Sequence, residues 1–219
     1  MSETVIPLFP LGLVLLPRMP LPLHIFEERY KLMIAECLER QAAFGIVFFN
    51  GSDIQTTGCT ASILKVLKRY GDGRLDILSH GEKRFVIKDM TDRKPYLEGR
   101  VTFFDDEPDE NADACQQLAR RGIALLKQFA AIAEVQDGYG FAETLDPRSI
   151  SFVIAGCEGF SKEEKQQFLE MTSTYKRLEK CVATLEKIIE RTKITSEIRK
   201  IIGGNGDMAK ISPKSIKTR

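Results

Sequence analysis

Hydrophobic and polar positions change period near the middle of the chain. In the first half the apolar residues fall in short runs. Thr4–Phe9 and Leu13–Leu16 are brief apolar segments broken by proline, and Phe44–Phe49 is a continuous apolar run of the kind a buried strand carries. Gly58–Tyr70 alternates in part, with Ile63, Val66 and Leu67 among Lys65, Lys68 and Arg69. Arg74–Ser79, Lys83–Met90 and Tyr96–Phe104 continue the series. Gly71-Asp72-Gly73 separates two of these segments and suits a hairpin turn, because glycine accepts positive φ. Short strands at this spacing predict a small barrel or sandwich. One helix interrupts them over Glu27–Gln41. Tyr30, Met33, Ile34, Cys37 and Leu38 form a single apolar stripe on it, suited to capping an open barrel end.

Asp105-Asp106-Glu107-Pro108-Asp109-Glu110 is an acidic joint with a proline and reads as a solvated linker. Helical spacing follows it. Asn111–Glu134 places Leu118, Ile123, Leu125, Leu126 and Phe129 on a helix, and Asp137–Gly140 breaks it. Asp146-Pro147 is an N-cap followed by a first-turn proline, opening a helix to about Cys157. Ser161-Lys162-Glu163-Glu164 is a capping box that opens a short helix to Met171. Thr174–Ile202 is a long amphipathic helix built on Leu178, Val182, Leu185 and Ile189. Its Lys/Glu face reads as solvated. Four helices imply a small bundle. The predicted organisation is a β-rich unit over 1–107, a helical bundle over 108–202, and a disordered tail over 203–219 that is rich in Gly, Lys and Ser.

Composition adds little to this until charge is divided among the segments. Apolar residues make up 43% and charged residues 29% of 219, an ordinary globular mix. No apolar run reaches the roughly 18 residues of a membrane-spanning helix, and the N-terminus lacks the basic start of a signal peptide, so the expected compartment is the cytoplasm. The net charge is +1. Residues 1–107 and 108–202 each carry 14 basic and 15 acidic residues, and the basic excess lies in 203–219. Two near-neutral halves weigh against a nucleic-acid module, which usually presents a basic face.

No reaction chemistry is legible. The chain has no phosphate loop, GxSxG elbow or HExxH motif. The five cysteines are scattered without zinc-like spacing and read as reduced, buried, small apolar residues. His24 reads as a partly buried histidine bonding to backbone, and His80 as a turn histidine. No catalytic residue, metal or cofactor is expected.

Three motifs, in order, resemble the substrate-binding N-terminal domain of Lon proteases. The first is Ile6-Pro7-Leu8-Phe9-Pro10 continuing through Val14-Leu15-Leu16-Pro17-Arg18-Met19-Pro20-Leu21-Pro22-Leu23-His24-Ile25-Phe26-Glu27. The second is Gly58-Cys59-Thr60-Ala61-Ser62-Ile63, and the third Asp72-Gly73-Arg74-Leu75-Asp76-Ile77-Leu78-Ser79-His80-Gly81-Glu82-Lys83-Arg84-Phe85. The resemblance covers about residues 4–104. It implies an α+β protein: a PUA-like β pseudo-barrel with one helix, followed by a helical bundle. It also implies binding without turnover, since the ATPase phosphate loop and the Ser–Lys protease pair of full-length Lon are missing from this sequence. The implied partners are unfolded or degron-bearing polypeptides, or a protease or chaperone, in proteolysis or quality control. The opening loop Leu16–Leu23 is the candidate contact surface, because prolines there cannot donate to a sheet ladder and so mark an edge or loop. Its candidate peptide-binding residues are Arg18, Met19, Pro20, Leu21 and Phe26, with core packing as the competing role. The PUA-like fold keeps RNA or nucleotide binding open as an alternative, through Lys65, Lys68, Arg69, Arg74 and Arg84.

Overall fold

The computed structural model describes residues 3–108, 111–133 and 139–205. The expected basic tail, from residue 206 onward, lies outside the described residues. Six strands and five α-helices follow in the order β1 (Thr4–Leu11), β2 (Pro20–Ile25), α1 (Glu28–Arg40), β3 (Phe44–Phe49), β4 (Ile54–Arg69), β5 (Leu75–Thr91), β6 (Glu98–Phe104), α2 (Ala112–Ala133), α3 (Pro147–Gly156), α4 (Lys162–Glu170) and α5 (Thr174–Asn205), with a 3₁₀ turn at Gly140–Thr144 before α3.

The sheet runs β2-β5-β4-β3-β1-β6, and β6 returns to pair with β5. Two strands divide their length to achieve this. β1 pairs with β6 over Thr4–Pro7 and with β3, in parallel, over Leu8–Leu11. β5 carries β2 on its first half and β6 on its second, with β4 along its other edge. Five strands thus form a ring, and β2 extends the sheet beyond it. Ile6, Leu8, Val47, Phe85, Ile87 and Val101 pack together as a small core within the sheet. The alternate residues Phe9, Phe44 and Ile46 pack against α1, where Tyr30, Met33, Ile34 and Cys37 form the predicted buried stripe and Tyr30 stacks on Phe9 at 3.9 Å.

One sequence expectation is corrected here and another is narrowed. Leu13–Leu16 is not a strand but a buried loop, whose Leu15 and Leu16 are spent in the core. The stretch Leu16–Leu23, read as sheet edge or loop, resolves in part into a strand over Pro20–Ile25. It is tolerated because β2 lies at the sheet edge. The carbonyls of Met19 and Leu21 face β5, accepting from the Gly81 N–H (2.9 Å) and the Ser79 hydroxyl (2.8 Å). Pro20 and Pro22, at alternate positions, face outward where no ladder donor is needed. The segments Arg74–Ser79 and Lys83–Met90 are one continuous 17-residue strand.

The helices form as their caps predict. The Asp146 side chain accepts from Ser149 N–H at 2.9 Å with Pro147 in the first turn, and Ser161 and Glu164 complete a reciprocal capping box. Ser161→Ala is expected to cost about 1 kcal/mol, read as a lower urea midpoint at unchanged slope. The helices bury Leu126, Phe152, Leu178 and Leu185 in the same cluster as the α1 side of the sheet.

The acidic joint is where the two parts are fastened. Asp106, read from sequence as solvated, is only 6% exposed at its side chain, between Arg84 of β5 and Arg177 of α5, which are 1% and 0% exposed. Arg84 also donates to the carbonyls of Leu169 (3.0 Å) and Met171 (2.6 Å). Arg177 donates to Ser151 Oγ (2.7 Å) and to the Met171 carbonyl (2.8 Å). The Phe152 ring lies beneath both guanidinium groups, at 5.3 and 4.1 Å. Burying two cations requires a carboxylate, because unpaired charge cannot leave water cheaply. The joint is acidic for that reason, while Asp105 and Glu107 beside it remain exposed.

Candidate functional site

Where β2, the first half of β5 and the second half of β4 extend beyond the ring, one sheet face is covered and the other is bare. Leu21, Ile25, Leu75, Ile77 and Ser79 point into the core. Their alternates Pro20, Pro22 and His24 on β2, and Asp76, Leu78 and His80 on β5, point outward. On β4 the register is interrupted between Ile63 and Lys65 and again between Val66 and Lys68. Ile63 and Val66 stay packed on the core, while the inserted Leu64 and Leu67 are 58% and 52% exposed. A bulge re-aims side chains in this way. Phe26, which follows β2, is 60% exposed.

The hairpin end of this face is ordered by polar contacts. His24 Nδ1 lies 2.5 Å from Asp76 Oδ1, and the Tyr70 hydroxyl donates to Asp76 Oδ2 at 2.8 Å. Hydrogen bonding by His24 first, and by Tyr70 second, holds the Asp76 carboxyl below its usual range. The Tyr70 ring is flanked by Lys68 Nζ (4.4 Å) and the Arg74 guanidinium (4.9 Å), with His24 edge-on at 5.8 Å and Phe26 6.0 Å beyond His24.

The predicted site residues separate. Phe26, Pro20 and Arg18 are exposed. Met19 is half-buried against α3, so placed that a Cβ on Gly156 would come within 2.6 Å of its Cε. Leu21 is buried and must be corrected: its side chain falls on the core face of β2 and offers nothing to a ligand. Of the RNA-binding alternatives, Lys65, Lys68 and Arg69 are exposed on β4, and Arg74 is tied to Asp72 at 2.7 Å. Arg84 is corrected outright, since it is consumed by the buried joint. The two histidines also differ from expectation. His24 bonds a carboxylate rather than backbone, and His80 lies within β5 with Nε2 3.4 Å from Glu82. Leu64 and Leu67 were not legible as surface residues, because only the two bulges turn them away from the core.

Other features carry less. The five cysteines are buried and none is in a disulfide, and burial pushes Cys37 up to about 11 and Cys59 up to about 12, so neither supplies thiolate at neutral pH. Among the described residues no group of His, Cys, Asp and Glu could hold a metal. Neither histidine hydrogen-bonds a serine or cysteine among them, so neither forms a histidine–nucleophile pair. A cleft of about 340 Å³ between β1, α1 and β6 contains charged groups, of which Lys94 is engaged within it, its Nζ 2.7 Å from Glu36 and 3.6 Å from Glu98. Among the described residues no helix is long and apolar enough to cross a membrane.

A ring-like sheet with an extension strand, fastened to a helical bundle and bearing an uncovered apolar face, defines a class of α+β binding domains. Residues 5–187 match the family described as the ATP-dependent protease La (LON) substrate-binding domain, so the chain belongs to that family. It is 26% identical over 207 residues to the Lon protease of Parabacteroides distasonis, covering 89% of this chain and 25% of that protein. It is 26% identical over 223 residues to Lon protease 2 of Myxococcus xanthus, covering 94% of this chain and 26% of that protein. The chain thus spans about a quarter of the length of the curated relatives it matches. The fold is shared with the Lon N-terminal domain protein from Xanthomonas campestris, at TM-score 0.66 and 23% identity over 82% of this chain and 98% of that one. It is also shared with the N-terminal domain of the Mycobacterium avium complex Lon protease, at TM-score 0.68 and 18% identity over 84% and 98%.

Proposed function

We propose that this chain is a non-catalytic recognition module that binds unfolded or degron-bearing polypeptides in the cytoplasm, in proteolysis or protein quality control, on the outer face of β2-β5-β4. The observation that carries this reading is the exposure of Phe26, Leu64 and Leu67 around one three-stranded sheet. Large apolar side chains grouped at a surface mark an interaction site rather than ordinary surface. The edge of β2 is a poor template for strand addition, since Pro20 and Pro22 remove two outward donors. Recognition through side chains on the face is therefore favoured over backbone pairing at the edge. Arg18, Pro20 and Met19 border the face and remain as its rim, and Leu21 acts only by holding β2 in place.

The test is fluorescence anisotropy of a labelled, permanently unfolded polypeptide titrated with the full chain. Phe26→Ser/Leu64→Ser/Leu67→Ser is expected to weaken binding at least about tenfold, because removing several apolar anchors costs more than about 1.4 kcal/mol. Thermal stability should hold, because the three side chains are already in water. Unchanged affinity in a folded variant would sink the site, and no binding by the parent chain would sink the function.

A further inference from the structure

We propose that the β2-β5-β4 face selects apolar polypeptide segments flanked by aspartate or glutamate. This rests on the reading that the face binds polypeptide, and it specifies the chemical class bound. The basis is the run Leu64-Lys65-Val66-Leu67-Lys68-Arg69 on β4. Its two bulges leave Leu64 and Leu67 exposed, each followed by an exposed lysine, with Arg69 exposed at the strand end. Only Val66 turns to the core.

The three cations of this run form no close ion pair, although Lys68 lies over the Tyr70 ring and attracts the Asp76 carboxylate opposite it. Among the described residues no carboxylate forms an ion pair with Lys65, Lys68 or Arg69, whereas the basic residues around them are paired. Arg29 lies 2.7 Å from Glu27, Lys31 2.8 Å from Glu28, and Arg74 2.7 Å from Asp72. Asp76, opposite Lys68 in the ladder, has both oxygens engaged by His24 and Tyr70. A near-neutral half of the molecule therefore places three cations beside its exposed leucines, two of them, Lys65 and Arg69, with no carboxylate partner among the described residues. Apolar side chains of a bound segment would cover Leu64, Leu67 and Phe26, and carboxylates on either side would meet the lysines and Arg69. Exposed charge pairs are individually weak and screened by salt, so they set selectivity more than total affinity.

The same cations could attract a nucleic-acid backbone, but the rest of the face does not suit bases. Base recognition relies on free aromatic or guanidinium planes. Here the Tyr70 ring is occupied by Lys68 and Arg74 and Arg84 is buried, so only the exposed Phe26 ring and Arg69 offer planes, set among aliphatic side chains that suit an apolar segment better than stacked bases.

The experiment uses three fluorescein-labelled peptides with one shared Leu/Phe-rich centre and acidic, neutral or basic flanks, titrated into the full chain at low and high salt. The acid-flanked peptide is expected to bind about tenfold more tightly than the neutral one at low salt, and the basic one most weakly, from three weak pairs acting together. High salt should erase the preference, and so should Lys65→Gln/Lys68→Gln/Arg69→Gln, with the neutral peptide unaffected. Should that variant fail to fold, the salt series on the parent chain decides alone. Equal binding of acidic and neutral peptides overturns the inference while leaving polypeptide binding intact. Failure of all three peptides overturns both. Displacement of the acid-flanked peptide by a single-stranded RNA that binds more tightly, and that also loses affinity in the triple variant, reassigns the cations to nucleic acid and overturns the inference.

Discussion

Asp106→Ala lowers the free energy of unfolding by about 3–5 kcal/mol, the cost of stranding buried charge. Arg84 and Arg177 are both almost completely buried, and Asp106 is the carboxylate they share. Their other hydrogen-bond partners are neutral, namely the carbonyls of Leu169 and Met171 and the hydroxyls of Ser151 and Thr174, and the one further carboxylate, the exposed Asp105, reaches Arg84 only at 4.0 Å. The neutral groups satisfy donors but do not balance two positive charges. Asp105→Ala is the contrasting variant and should cost about 1 kcal/mol or less, because its carboxylate is exposed, its pair with Arg148 is exposed on both sides, and it meets Arg84 only at the 4.0 Å limit. Urea unfolding of the two variants at neutral pH measures the difference, and equal losses would mean that the joint is not where the sheet and helices are fastened.

The same carboxyl sets a pH dependence. Burial pushes the Asp106 carboxyl up, but hydrogen bonds and charge from Arg177, with Thr174 and Arg84, outweigh it and hold the group below its ordinary range. A carboxyl depressed in the folded state binds its proton more readily when unfolded. Its contribution is therefore complete above the unfolded value of about 4 and is lost as pH falls toward the folded value. The parent chain is expected to lose stability more steeply than Asp106→Asn below about pH 4, as thermal midpoints across that range would show.

Gly81→Ala is expected to cost about 3 kcal/mol through a clash that only backbone movement relieves. A Cβ at this position would stand 2.2 Å from the Leu16 carbonyl oxygen. Leu16 is buried and its carbonyl closes the turn to Met19 N–H at 3.2 Å, so it has no free direction to move. Relief would pull apart the Arg18 N–H to Gly81 carbonyl bond (2.7 Å) and the Gly81 N–H to Met19 carbonyl bond (2.9 Å), which anchor the start of β2. Gly73→Ala is the control. Its φ of 84° strains an alanine by about 1–2 kcal/mol, but no atom lies closer than 3.8 Å to the added Cβ. Denaturant midpoints should rank the two in that order. Binding should separate them further, since Gly81→Ala loosens a strand of the proposed face and Gly73→Ala does not.

Much of the fold was legible because its signals are local. The stripe from Tyr30 to Leu38, the Asp146-Pro147 cap, the Ser161–Glu164 box and the Gly71-Asp72-Gly73 turn each need only a few neighbouring residues, and each appears where the sequence placed it. The candidate site was only half legible. The opening proline–leucine stretch was correctly singled out as edge or loop, yet its leucines proved to be mostly core, with Leu15, Leu16 and Leu21 all buried. Alternation along a strand cannot say which side the rest of the protein will cover.

By itself, the sequence determined most of the elements and their order, the absence of recognisable catalytic motifs and the family resemblance, because these depend on residue type and short spacing. Tertiary structure alone decided which apolar residues remain in water and which charges leave it. The β4 bulges turn Leu64 and Leu67 outward beside exposed lysines, and the meeting of Arg177 of α5 with Arg84 of β5 converts Asp106 from a linker acid into the counter-ion of two buried arginines. The outcome for Asp106 depends on partners 22 and 71 residues away, and that for the leucines on pairing register, quantities that no local pattern encodes.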